Sequence, residues 1–176
     1  MKLFVAIAFT LSLSTTPVFG QDTASLNVVG ENKTAIIATE QQKNGGYDGA
    51  FNYSPAVRAG DYIYASGVVA GASGIKEPLN KEAFKASVRR ALKRLEQTLK
   101  AGGAELNDVI KINTFHVFDS PHTTLSKHEQ VLAVAEVKNE FIGEPHPAWT
   151  AVGTTALYPD KGLVEIEVVV YSPPKK

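Results

Sequence analysis

The chain has 176 residues, of which 18 are basic and 18 acidic, and it contains no cysteine. This length fits one globular domain with extensions better than two domains. The balanced charge gives no overall attraction to nucleic acid, and the lack of cysteine excludes disulfide bonds and a lipid-anchored thiol.

Residues 1–20 have the features of a secretory signal peptide. A lysine follows the first methionine, Leu3–Leu13 is mostly apolar, and Val18 and Gly20 are small residues suited to a cleavage site before Gln21. The stretch is too short and too weakly apolar to span a membrane. We therefore expect a secreted or periplasmic protein with no stable membrane insertion after signal removal; the alternative is a buried N-terminal helix.

The segment after the predicted signal has few features of a packed domain. Gln21–Val29 is polar and weakly patterned, which indicates a tether, whereas Lys33–Thr39 has the apolar residues of a possible first strand. Glu40–Gly49 is rich in Gly, Gln and Asn and predicts turns. We assign residues 21–49 to a tether with this possible strand, and residues 50–172 to the globular domain.

The first half of the globular domain predicts a hairpin followed by a long helix. Phe51–Val57 and Asp61–Val68 flank a glycine-containing loop at Arg58–Gly60, as in a β-hairpin. Leu79–Ala101 repeats apolar residues every three or four positions, the spacing of an amphipathic helix. Its cations predict a solvated helix surface rather than an RNA-binding face, since no aromatic residues lie among them. They are Lys85, Arg89, Lys93, Arg94 and Lys100.

The second half adds a strand at Val109–Phe118, a helix at Thr124–Ile142, and strands at Trp149–Ala156 and Leu163–Val170. The residues expected on the inner side of that helix are Leu125, His128, Leu132, Ala135 and Phe141. The order β-β-β-α-β-α-β-β predicts an α+β fold, with a mixed sheet of about six strands and two helices on one face. The uncovered sheet face favours oligomerisation.

The last strand carries two carboxylates on one face. Glu165 and Glu167 are two residues apart, so in an extended chain they point the same way, roughly 6.6 Å from each other. Val164, Ile166 and Val168 point the other way, toward a core. A sheet face with two acids needs water, a cationic partner or a binding site.

Most catalytic chemistry lacks its residues in this sequence. No cysteine or Gly-x-Ser-x-Gly motif provides a nucleophile, no glycine-rich motif cradles a phosphate, and the four histidines lack metal-ligand spacing. We therefore expect no metal and no cofactor, and we expect His116 to be a hydrogen-bonded core or interface residue. What remains is acid–base chemistry on a C=N bond by Glu165, with polar partners Tyr53, Ser66 and Thr150. The alternative is a structural ion pair of Glu165.

A site of this kind would adjoin the single tryptophan, Trp149, in Gly143–Gly153. An indole beside Glu165 in a partly dry cleft would raise the pKa of the carboxyl group by desolvation.

The chain resembles the RidA/YjgF family of imine and enamine deaminases in several local strings over Phe51–Val170. The matching strings are Tyr53–Asp61, Tyr64–Gly67, Leu99–Lys111, Phe141–Ala148, Thr150–Gly153 and Leu163–Glu167. The resemblance implies a chorismate-mutase-like α+β domain that assembles as a homotrimer. It also implies three small-molecule clefts between subunits, each lined by residues of two chains.

The resemblance assigns roles to individual residues. Tyr53 matches the family's cleft tyrosine, Ser66 its strand-end serine and Glu165 the acid that positions water, which makes these three the candidate catalytic residues. Trp149, Thr150, Gly67 and Val134 are the candidate ligand-binding residues.

Two of these positions depart from the family pattern. Trp149 stands where the family has an arginine that holds the substrate carboxylate, and Val134 stands where it has an asparagine. An indole offers one N–H and no charge. Relative to an arginine at this position, we expect carboxylate substrates to lose on the order of a thousandfold in affinity or rate. Arg58 is a possible substitute, although the resemblance places its loop away from the cleft.

Four functions remain open at this point. The first is an exported family member that binds a neutral or aromatic small molecule, with weak or altered C=N hydrolysis. The second is an active deaminase of 2-aminoacrylate-like intermediates, and the third is a non-catalytic trimer in which Trp149 fills the cleft. Ribonuclease activity is the least favoured, because the chain is neutral and has no basic-aromatic surface.

Overall fold

The computed structural model describes residues 25–76 and 78–173 as a single sheet with helices against it. The predicted signal peptide lies outside these residues. The strands are β1 (Val28–Val29), β2 (Thr34–Ile36), β3 (Ala56–Ala59), β4 (Tyr62–Gly71), β5 (Val109–His116), β6 (Ala148–Gly153) and β7 (Gly162–Tyr171). The helices are the short α1 (Glu40–Gln42), the long α2 (Lys81–Ala101) and α3 (Lys127–Lys138). No helix in the described part of the chain is long and apolar enough to cross a membrane.

The seven strands form one mixed sheet in the order β1-β2-β3-β4-β7-β5-β6. Only β5 and β6 run parallel; the other neighbours are antiparallel. The last strand in the chain, β7, therefore lies between β4 and β5 in the middle of the sheet. This confirms the predicted α+β class and mixed sheet, with one strand more than expected.

The long helix α2 has sequence signals at both ends. The Asn80 side chain accepts a hydrogen bond from the Ala83 N–H at 3.0 Å and begins the helix, two residues later than predicted. Gly103, at φ +76, follows the last turn, in a backbone conformation that glycine adopts without steric cost. The apolar stripe of α2 is buried against the sheet, as its spacing predicts.

The core lies between the two long helices and one face of the sheet. Val164, Ile166 and Val168 of β7 are buried there, together with Phe84 and Leu95 of α2. The other face of the central strands carries exposed tyrosines, namely Tyr62, Tyr64 and Tyr171. The alternation predicted for β7 is therefore confirmed.

Several predicted boundaries were wrong in the N-terminal half. Phe51–Val57 is not a strand; pairing begins only at Ala56, and Arg58 is inside β3 because the turn lies at Gly60, at φ +57. The tether includes the two-residue strand β1. Glu40–Gly49, expected to form turns, begins with α1 and a π-helical turn capped by Thr39.

The inner face predicted for the second helix was correct in part: Leu125 is buried and Phe141 packs against the core, but two predicted residues within α3 face solvent. His128 and Leu132 are exposed, whereas Gln130, Ala133, Val134 and Val137 are among the buried residues of this helix. Val134 therefore faces the core. The reason is that Gln130 turns inward, where its amide group lies 3.4 Å from both the Leu125 and Phe118 carbonyl oxygens.

Two of the predicted solvated cations of α2 instead connect it to α3 and to the turn that follows α3. Arg89 forms a two-point contact with Glu140, at 2.6 Å for each hydrogen bond. Lys85 contacts Glu136 at 2.9 Å. The two helices are thus joined by ion pairs at their exposed margin, where each pair contributes little stability on its own.

Candidate functional site

Glu165 lies near the centre of the sheet, on the face away from α2 and α3. It is paired with Val69 of β4 on one side and Phe115 of β5 on the other. The side chain is partly buried, and burial, together with the charge of Glu167, raises the pKa of its carboxyl group. Glu167 accepts a hydrogen bond from the Asn113 side chain at 2.7 Å, so the two neighbouring acids are held differently.

The three candidate catalytic residues share one open cavity of about 710 Å³. Tyr53, Ser66 and Glu165 all line it, and so does Gly67. The structure thus brings Glu165 together with three predicted residues that lie about a hundred positions before it in the sequence. Their arrangement places a carboxyl group with a raised pKa beside two hydroxyl groups.

An irregularity in β4 explains how Ser66 and Gly67 reach this cavity. The pairing of β4 with β7 shifts register between Ala65 and Val68, so the two residues form a bulge. The Ser66 hydroxyl donates to the Ser54 carbonyl oxygen at 2.8 Å, which fixes its direction. A methyl group on Gly67 would overlap the Glu165 carboxyl group, so the glycine leaves the space that this carboxyl group occupies.

Trp149 and Val134 lie together on the opposite, helix-covered face of the sheet. Trp149 pairs with the buried Ile112, and its indole N–H donates to the Thr114 hydroxyl at 3.0 Å. The two candidate residues border an apolar gap of only about 10 Å³. The expectation that the indole lies beside Glu165 is therefore wrong within one chain; the pKa of Glu165 is raised, but by its own burial and by Glu167.

The other predicted residues are placed as follows. Thr150 is on the open face with Glu167, and it accepts a hydrogen bond from the Lys111 ammonium group at 2.7 Å. Arg58 does not substitute for the missing arginine, because its guanidinium group donates to the Gly102 carbonyl oxygen at 2.8 Å and to the Ser172 carbonyl oxygen. Its donors are therefore engaged in joining β3 to the end of α2.

His116 is a core residue, as expected. It is fully buried, its Nε2 lies 3.0 Å from the Thr114 hydroxyl, and its ring stacks on Phe118. Burial lowers the pKa of His116 to about 4, which keeps the ring neutral at physiological pH. Within residues 25–76 and 78–173, no group of three or more His, Asp or Glu residues is arranged to hold a metal ion.

The sequence did not single out three residues that border the candidate site. Phe51 and Tyr158 form an edge-to-face aromatic pair at 5.4 Å and line the Glu165 cavity. Arg94 lines a second cavity of about 560 Å³ that shares Tyr53, Ser66 and Gly67 with the first. Phe51 and Tyr158 lie in loops 107 positions apart, so no local pattern pairs them.

Comparison with known proteins places this geometry in a family. The sequence profile of the endoribonuclease L-PSP family matches residues 47–172, which is most of the chain. The chain belongs to this family, the RidA/YjgF family. The RutC family protein YjgH of Escherichia coli is 37% identical over 107 residues, covering 60% of this chain and 72% of YjgH. The 2-iminobutanoate/2-iminopropanoate deaminase of Dermatophagoides farinae is 30% identical over 122 residues, covering 67% and 84% respectively.

Solved structures of the family have the same fold. The chain superposes on the crystal structure of Rv2704 of Mycobacterium tuberculosis with a TM-score of 0.58 at 26% identity, covering 79% of this chain and 98% of that one. For RidA of an Antarctic Psychrobacter the TM-score is 0.54 at 29% identity, with 69% and 89% covered. The predicted family and fold are confirmed.

Proposed function

We propose that the protein is an exported, homotrimeric family member that binds a small molecule between subunits and hydrolyses C=N bonds weakly or with altered specificity. The observation that carries the proposal is the cavity in which Glu165, with a raised pKa, lies beside Tyr53, Ser66 and Gly67. A relative named as a 2-iminobutanoate/2-iminopropanoate deaminase supports the reaction class. The predicted signal sequence in residues 1–20 supports export.

Glu165 would serve as the acid–base group of this reaction. The carboxylate form takes a proton from a water molecule as the water oxygen bonds to the imine carbon, and it passes that proton to the nitrogen to give a carbinolamine. Glu165 then takes the proton of the carbinolamine hydroxyl group and passes it to the nitrogen as the C–N bond breaks, leaving ammonia and a carbonyl compound. A raised pKa suits this role, because the group must take up and release a proton in each of the two steps.

Trp149 supports the altered specificity. An indole has a single hydrogen-bond donor, and here that donor is already engaged by the Thr114 hydroxyl. Val134, beside it, contributes no polar group. This position therefore has neither a charge nor a spare donor for a substrate carboxylate.

The open face of the sheet supports a cleft formed by two subunits. Tyr53, Ser66 and Glu165 line a cavity on the face away from α2 and α3. A homotrimer of the kind the resemblance implies would close this cavity with residues of a neighbouring chain. Trp149 and Val134 lie on the helix-covered face, where Val134 is buried in the core of its own chain.

Two alternatives are tested together with the proposal. One is an active 2-imino acid deaminase that does not need the arginine at position 149. The other is a non-catalytic binding or scaffold trimer, favoured by the engaged indole of Trp149. They differ from the proposal in turnover, which is measurable.

The decisive assay follows hydrolysis of imines that an amino-acid oxidase generates in situ, with amino acids of acidic and neutral side chains. We expect slow turnover above the uncatalysed rate, lost in Glu165→Gln and retained in the control Glu31→Gln, which removes the same charge at an exposed position outside both cavities. Fast turnover with every imino acid would favour the active deaminase. No turnover in a folded protein would favour the binding trimer.

Two measurements on the same preparation test assembly and export. Light scattering coupled to gel filtration should give three times the mass of one chain. Mass spectrometry of the protein exported by a bacterial host should give an N-terminus at Gln21. A monomer, or an intact N-terminal segment, would contradict the corresponding part of the proposal.

A further inference from the structure

Part of β4 has an edge without a neighbouring strand. The strand β3 pairs with β4 only from Tyr62 to Ala65, and one more bond joins the Ser66 N–H to the Pro55 carbonyl oxygen at 2.9 Å. Beyond this point no strand of residues 25–76 or 78–173 pairs with that edge of β4, which continues to Gly71. Side chains of the helix α2, rather than another strand, form hydrogen bonds with this part of β4.

Two side chains of α2 satisfy backbone groups at this edge. The Ser87 hydroxyl bonds both the N–H and the carbonyl oxygen of Gly71, each at 2.9 Å. Arg94 donates from Nη2 to the Val69 carbonyl oxygen at 2.7 Å. Because Val69 is paired with Glu165 across the sheet, Arg94 reaches the strand segment next to the candidate catalytic acid.

Arg94 lines a cavity that adjoins the Glu165 cavity. The Arg94 cavity, of about 560 Å³, lies between α2, the edge of β4 and the segment around Gly46. It shares Tyr53, Ser66 and Gly67 with the larger cavity. The two cavities thus meet at the segment of β4 that lies beyond its pairing with Ala56, the first residue of β3.

The lining of the Arg94 cavity suits an anion. Arg94 is the one charged residue that borders it among the described residues; the polar ones include Gln41, Gln97 and Ser66. No described carboxylate lies within salt-bridge distance of the guanidinium group. Burial, and then the neighbouring charge of Arg90, lowers the pKa of Arg94, as expected for a cation without a compensating anion.

We propose that Arg94 holds the carboxylate of a 2-imino acid substrate from the edge of β4, in place of the arginine missing at position 149. This inference rests on the proposed function and names its substrate class. A guanidinium group has five N–H donors in a planar fork, and the described contacts use one of them. The others remain for a carboxylate, with which the fork forms paired hydrogen bonds. The C=N carbon would then lie toward Glu165, past Tyr53, Ser66 and Gly67, which line both cavities.

The test uses unreactive probes, so that binding and hydrolysis are separated. Calorimetry measures the affinity of the purified protein for 2-oxobutanoate and for its uncharged amide, 2-oxobutanamide. We expect the wild type to prefer the carboxylate, and Arg94→Met to bind it about ten- to a hundredfold more weakly without a change for the amide. Arg90→Met is the matched control. Arg90 lies one helical turn before Arg94, is exposed and does not line the cavity, so this variant removes the same charge and should behave as the wild type.

The outcomes distinguish this inference from the proposed function. Loss of carboxylate binding in Arg94→Met, in a protein that hydrolyses no imine, would support the anion site and contradict the hydrolysis. Hydrolysis of imino acids with an unchanged KM in Arg94→Met would overturn the anion site and leave the function intact. If Arg94→Met does not fold, the same two affinities are measured for Arg94→Lys and compared with those of the wild type. Equal wild-type affinity for 2-oxobutanoate and 2-oxobutanamide would overturn the inference.

Discussion

Trp149→Arg is the substitution that best tests the packing and the specificity together. Complete burial of an aromatic side chain removes on the order of 200 Å² of surface, worth about 5 kcal/mol at roughly 25 cal/mol per Å². Trp149 is only partly buried, and an arginine stem would cover part of the same surface, so we expect a packing loss of about 2 kcal/mol. Loss of the hydrogen bond to Thr114 adds about 1 kcal/mol.

The expected total is about 3 kcal/mol, which corresponds to a fall in Tm of roughly 6–12 °C for a chain of this length. Urea unfolding and thermal scans at one fixed protein concentration would measure it, since the stability of an oligomer depends on concentration. Trp149→Phe is the control: it keeps the aromatic packing and loses only the hydrogen bond, so it should cost about 1 kcal/mol.

A Trp149→Arg protein as stable as the wild type would refute this account of the indole. The imine assay on the same variant gives the functional result. A gain in turnover for imino acids would show that Tyr53, Ser66 and Glu165 form a competent site that lacks only an anchor at position 149. An unchanged rate with the wild-type fold retained would show that the arginine alone does not restore this side of the cleft, where Val134 also departs from the family.

Three further predictions follow from single contacts. Gly67→Ala should displace the Glu165 carboxyl group and reduce turnover at least tenfold with little change in Tm, whereas Gly143→Ala, whose methyl group meets only an ordinary contact, should retain the wild-type rate; equal rates would contradict the placement of Glu165. Because the folded protein raises the pKa of Glu165, its ionisation lowers stability as pH rises above 4.5, so Glu165→Gln should gain stability relative to the wild type at pH 7 but not at pH 4 in urea titrations. His116 has the opposite sign: its pKa falls from 6.5 to about 4, so about 3 kcal/mol of stability present at pH 7 is lost as pH falls toward 4. His116→Gln should remove that dependence, and an unchanged acid transition in this variant would show that other groups cause it.

The parts of the fold that sequence predicted correctly are those fixed by local patterns. The alternation of β7 and the stripe of α2 each depend on neighbours a few residues away, and both appear in the structure. The inner face predicted for the second helix was only partly correct, because apolar character suggested Leu132, which is 44% exposed, whereas the polar Gln130 is buried through hydrogen bonds to backbone. A buried polar residue with its own partners gives no signal in a hydrophobic pattern.

The candidate site was predicted only in part, because some of its residues match family positions whereas others depend on how distant strands pair. Glu165, Ser66 and Tyr53 were found through their resemblance to family positions, and the structure brings them together. The side of the sheet on which Trp149 lies depends on the register of β6 against β5, a parallel pairing between segments 37 positions apart. A shift of one residue would move the indole to the other face, and nothing within β6 itself fixes that register.

Arg94 shows most clearly why the rest of the site needed the structure. On the helix alone it belongs to the polar side of α2 and has no feature that distinguishes it from Arg90 or Lys93. Its role depends on two strand lengths that no helix pattern contains: β3 begins only at Ala56, which pairs with Ala65, whereas β4 continues to Gly71. The difference leaves backbone groups of β4 open to α2, and Arg94 is at the position from which a long side chain reaches them. The helical pattern predicts that Arg94 lies on the solvated surface, but in the structure it borders the cavity that adjoins the one around Glu165.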